Sequence, residues 1–96
     1  MSTLPLTLNP EESFQIVIFE NLYNMRQLWN NSGFWTLDIN DQDNAPMALG
    51  VKLVTGITLL KQYPNIRFDM KSDSLLADPS RDDLDTFIFN VTNKDV

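Results

Sequence analysis

The chain contains no cysteine and no histidine. Disulfide stapling, thiol chemistry, zinc sites built on thiolate or imidazole, and histidine general-base catalysis are therefore all excluded. Basic residues are scarce: seven Lys and Arg stand against thirteen Asp and Glu, for a net charge of -6, and no two basic residues are adjacent. A phosphate-binding surface needs several cations on one face, so nucleic acid is not an expected partner. The same scarcity argues against attachment to an anionic membrane. No stretch approaches the roughly 18 apolar residues that a membrane-spanning helix needs. The first residues, Met1 to Pro5, lack the basic residues and apolar run of a secretory signal, so a soluble, intracellularly made protein is expected.

What is present reads as strands. The 96 residues, 43% hydrophobic and 21% charged, suit one folded unit, so residues 1–96 are expected to form a single β-rich domain. A chain this short buries only about 60 to 65% of its unfolded surface, so support from a partner would matter. Leu4 to Leu8 alternates apolar residues with Pro5 and Thr7, the pattern of an edge strand in which the proline cannot donate. Ser13 to Glu20 is β-branched and aromatic on both faces and predicts a strand covered on both sides. A tight turn is expected at Asn21–Leu22, then a strand from Tyr23 to Trp29, a turn at Asn30–Gly33 and a strand from Phe34 to Ile39, making an antiparallel meander. Asn40 to Asn44 is a polar loop. Val51 to Tyr63 is the ambiguous part. Leu53, Ile57 and Leu60 have helical spacing, but Gly50, Gly56 and the β-branched residues between them favour two short strands bent at Gly56. Strands are also expected at Ile66–Met70 and Thr86–Thr92, separated by an acidic loop over Asp73–Asp83. The fold class is all-β, a small antiparallel β-barrel or sandwich of five to seven strands with little helix.

Candidate chemistry is sparse. Asp38 to Asp43 begins like a calcium loop, but its sixth position is Asp43 instead of glycine and its twelfth is Leu49 instead of glutamate. Glu20 and Asp38 could be proposed as the two acids of a glycosidase, although carboxylates at polar strand positions are usually only solvated. Ser13 and Ser32 have no histidine to activate them. No catalytic residue, cofactor or metal is assigned, and no enzymatic activity is expected. Trp35 alternates with Leu37 and Ile39 and is expected in the core, whereas Trp29 shares its face with Gln27 and is expected to be partly exposed. An exposed tryptophan anchors interfaces because it buries much area at little rotamer cost. The acidic cluster Asp78, Asp82, Asp83 and Asp85 reads as a solubilising loop. Leu4, Leu6, Leu8 and Trp29 are the expected protein-interaction residues.

The order of features resembles a known family. Leu4-Pro5-Leu6-Thr7, a strand-rich hairpin, Trp35-Thr36-Leu37-Asp38-Ile39, Gly50-Val51-Lys52-Leu53-Val54-Thr55-Gly56, Leu59-Leu60 with Tyr63, and the acidic Pro79–Leu84 segment together look like the small baseplate plug proteins of tailed bacteriophages. The resemblance implies a barrel-like domain without enzymatic activity at the distal end of the tail tube. Its expected partners are baseplate hub and tail-tube proteins, with the tape measure and the spike as further candidates. It also implies a protein made in the host cytoplasm and located in the virion tail baseplate. The alternative reading is an OB-like or carbohydrate-binding small β-domain that serves the tail as a binding module.

Overall fold

The computed structural model describes residues 2–72, 78–84 and 87–94. Among them it contains seven strands and no α-helix: β1 (Ser2–Thr3), β2 (Glu11–Ile18), β3 (Asn21–Asn30), β4 (Phe34–Asn40), β5 (Pro46–Lys52), β6 (Phe68–Lys71) and β7 (Asn90–Asn93). They form two antiparallel sheets, one of order β2-β3-β4-β5 and one of order β1-β7-β6. The fold is all-β and sandwich-like. The two sheets do not close into a barrel, so the OB-like alternative lacks its defining closure.

The first sheet is a meander because each connection is short and locally encoded. At Asn30–Gly33 the Gly33 amide bonds the Asn30 carbonyl at 2.9 Å and glycine takes φ +107°. The turn expected at Asn21–Leu22 lies two residues earlier. Phe19 and Glu20 form it with φ of +47° and +72°, while Asn21 and Leu22 already pair with Ile18 and Val17. Phenylalanine and glutamate rarely take this conformation, which is why the turn carries no recognisable signal.

Alternation places Tyr23, Met25 and Gln27 of β3 and Trp35, Leu37 and Ile39 of β4 on the buried face. The apolar members meet Phe68, Met70 and Val91 of the second sheet in one hydrophobic cluster. Tyr23 and Phe68 join the two layers edge to face at 4.9 Å. Irregular backbone supplies much of the remaining core, through Leu53, Leu59, Leu60, Ile66, Leu84, Phe87 and Phe89.

Four further expectations are corrected. Leu4–Leu8 is not a strand: the chain passes there from the second sheet to the first, and its backbone is bonded by a side chain of the first sheet instead of by a ladder. β2 is not covered on both faces, since Val17 of β2 and Phe19 in the following turn are 62% and 48% exposed. Residues 51–63 hold neither a helix nor two strands. β5 ends at Lys52, and the segment after it is tied to the chain around β6 by bonds from the Gly56 amide to the Ser72 carbonyl (2.8 Å) and from the Leu59 amide to the Met70 carbonyl (3.0 Å). The last strand is only Asn90–Asn93, because its partners end opposite Asn90, β6 at Lys71 and β1 at Thr3; Phe87 and Phe89 are buried outside the ladder, and Thr86 lies outside the described residues.

Candidate docking surface

The N-terminal segment is fixed by a buried amide. Gln27 is fully buried, and its side chain exchanges hydrogen bonds with Thr7, whose N–H it accepts at 3.0 Å and whose carbonyl it bonds at 2.8 Å. It also donates to the Asn9 carbonyl at 2.8 Å. Every polar atom of the carboxamide is thereby used to hold chain that would otherwise have no partner. Beside it the Thr7 hydroxyl and the Asn9 side-chain amide both donate to the Glu12 carboxylate. These two bonds, Thr7 first, hold the Glu12 carboxyl below its ordinary range.

This arrangement distributes the four expected interaction residues. Leu4 is buried in the chain's own core, Leu6 is half-buried against it, and Leu8 is 37% exposed. Trp29 is half-buried, edge to face with its cross-strand neighbour Trp35 at 5.3 Å. Trp35 is fully buried and donates its indole N–H to the Ser80 carbonyl at 2.7 Å. Arg81 links these parts. Its guanidinium lies 5.7 Å from the Trp35 ring centre and donates to the Leu8 carbonyl at 2.7 Å. Leu8, Trp29 and the Ser80–Arg81 turn thus share one end of the sandwich, whereas Leu4 belongs to the interior. Sequence reasoning passed over Arg81. The available signal was a lone arginine inside the acidic run Asp78 to Asp83.

Around Arg26 the outer face of the first sheet is polar and internally matched. Arg26 stands between Glu11 (3.7 Å) and Asp38 (3.2 Å), and Asp38 also accepts the Gly50 amide at 2.8 Å. That bond braces a bulge in β5, where Gly50 takes φ +68° and the register with β4 shifts. A shallow depression of about 590 Å³ overlies this network, lined by Ser13, Gln15, Asn24, Arg26, Asp38 and Asn40 among others.

The candidate acid pair is not assembled. Glu20 sits in the turn beyond the ladder, while Asp38 neighbours Arg26, which pairs with Ser13. The stretch from Ser13 to Ile18 alone spans about 16 Å, beyond the separation a glycosidase uses. Asp41 spends its carboxylate on the Asp43 and Ala45 amides, both at 2.9 Å, and no acidic cluster fit for a metal occurs among the described residues. Ser80 and Asp83 close their own turn through a 2.6 Å bond, and Asp78 accepts the Thr55 amide at 2.9 Å, so these acids of the cluster brace loops. Asp85 lies outside the described residues.

An acidic antiparallel sandwich whose polar groups mostly bind one another, and which leaves Leu8 and Trp29 accessible at one end, has the character of an assembly subunit. The comparison with known families agrees. The family described as cyanophage baseplate Pam3 plug gp18 matches residues 1–93, and the chain belongs to that family of phage baseplate plug proteins. No curated protein matches the chain. Family membership gives it a structural role in the virion tail baseplate, in association with other baseplate or tail proteins.

Proposed function

We propose that the chain is a plug subunit without enzymatic activity, made in the host cytoplasm, that docks on the baseplate hub and helps close the distal end of the tail tube. The observation that carries this reading is the family match over residues 1–93. The side-chain arrangement supports it, because Leu8 and Trp29 remain accessible at one end of the sandwich, braced from behind by Trp35 and Arg81. In this reading Leu8 and Trp29 meet the hub or the tail tube, and Leu4 and Leu6 act beneath them by anchoring the segment that presents Leu8. A tryptophan held at a fixed angle by a buried neighbour is a pre-ordered anchor, which lowers the entropy lost on docking.

Cross-linking mass spectrometry of isolated tails tests the reading. Lys52 and Lys61, both exposed, are expected to link to hub or tube subunits. Links confined to sheath or capsid subunits would overturn it. Trp29→Ala is expected to weaken incorporation into tails by about 10-fold or more, as loss of an interface anchor does.

A further inference from the structure

The two edges of the first sheet are treated differently. β5 is poorly suited to further pairing: it begins at Pro46, is broken by the Gly50 bulge and ends at Lys52. The edges of the second sheet, β1 and β6, are only two and four residues long. β2 has none of these features. It pairs with β3 over eight successive residues without a bulge, has no proline or basic residue between Glu11 and Ile18, and lies at the sheet edge.

The direction of its backbone groups follows from one bond. The Trp29 amide donates to the Pro10 carbonyl, so Pro10 and Trp29 form a hydrogen-bonded pair, and alternation makes Glu12, Phe14, Ile16 and Ile18 the inward-bonded residues of β2. Glu11, Ser13, Gln15 and Val17 therefore point their N–H and C=O groups away from the sheet. Among the described residues no backbone group meets them. The side chains at this edge are also incompletely covered. Phe14 and Ile16 are only half-buried on the core side, Val17 is 62% exposed, and Phe19 stands 48% exposed at the end of the strand.

We propose that β2 receives an added strand from a neighbouring tail protein, an inference that rests on the reading of the chain as a docked baseplate subunit. The incoming segment is extended, with apolar residues at alternate positions to complete the cover over Phe14 and Ile16, and with Lys or Arg at its flanks. The charge requirement comes from Glu11 and Glu12 at one end of the strand and Glu20 at the other, on a chain of net charge -6. That charge also disfavours a second copy, which would bring the same acidic surface to the edge. Main-chain bonds would supply affinity and the alternating pockets specificity.

Amide hydrogen exchange, resolved to residues by mass spectrometry, tests this on the full chain free and in isolated tails. In the free chain Phe14 and Ile16 should be protected while Ser13, Gln15 and Val17 exchange freely. In tails these last three should slow by about 100-fold or more, as amides in a closed ladder do. Gln15→Pro removes one outward N–H and the Asn24 side-chain bond without touching the backbone bonds to β3, and should lower incorporation at least about 10-fold at unchanged fold. Gln15→Ala, which keeps that N–H and loses only the Asn24 side-chain bond, should incorporate normally. If the chain is present in tails but the three amides exchange as in the free protein, this proposal falls and the baseplate reading stands. Absence of the chain from tails would remove both. A free protein that sediments as a dimer with the three amides already protected would assign the edge to a second copy and overturn the proposal.

Discussion

Gln27 is a polar residue placed where an apolar one would ordinarily pack. Gln27→Leu keeps the volume but leaves the Thr7 N–H and the Thr7 and Asn9 carbonyls without their partner. Urea unfolding is expected to show a loss of about 1 to 3 kcal/mol, the cost of partly buried polar groups that lose their partner. Glu12 extends the same cluster to its pH response. Its carboxyl lies below the ordinary value of 4.5 in the folded chain, so the ionised form favours folding. That contribution is complete above the ordinary value and is lost as the pH falls through the lower, folded one. An acid titration of the Thr7 and Asn9 amide shifts should report it, and Glu12→Gln should flatten the response. Burial separates two apolar substitutions as well. Trp35→Ala is expected to cost about 3 to 5 kcal/mol, whereas Ile16→Ala, at a half-buried site, should cost clearly less than the roughly 2 kcal/mol typical of a full core truncation.

Among the elements, the β2–β3 hairpin is the one built against local preference. Phe19 and Glu20 both take positive φ, a conformation that costs on the order of 1 to 3 kcal/mol for such residues. The double substitution Phe19→Asn with Glu20→Gly is expected to raise the melting temperature by several degrees, since an asparagine–glycine pair suits a two-residue hairpin. A thermal scan showing no gain would mean that the present turn is not strained. In β5, by contrast, the unusual conformation falls on Gly50, where it is inexpensive, and the Asp38 carboxylate fixes the bulge from the neighbouring strand.

At the scale of the molecule, both sheets share one hydrophobic cluster, and the N-terminal segment is sewn into it by Leu4 and Gln27. Deleting residues 1–9 therefore removes core as well as surface. The truncated chain is expected to lose about 2 to 5 kcal/mol from Leu4 alone, read as a lower urea midpoint. The full chain should unfold in one cooperative transition by fluorescence and circular dichroism alike, as a single domain does. Two separated transitions would contradict the single-domain reading.

The sequence alone determined the all-β class, the meander of β2 to β4 and the core positions of Trp35, Leu37 and Ile39, because period-two alternation is a local property that the pleat of a strand reads directly. It also determined what the chain lacks, since thiol and imidazole chemistry require residues that are absent. The family was legible too, from the order of short patterns along the chain. Only the tertiary structure decided that Gln27 is buried, because its partners lie 18 to 20 residues away in the chain. The same holds for Arg81, which joins Trp35 to a carbonyl 73 residues away. It decided that Leu4 faces inward, and that Leu53 to Ile66 packs as irregular backbone held by bonds to the β6 region. It also decided which edge stays open. Whether an alternating strand is central or unpaired depends on neighbours that local sequence does not name, and for β2 no such neighbour stands on one side among the described residues.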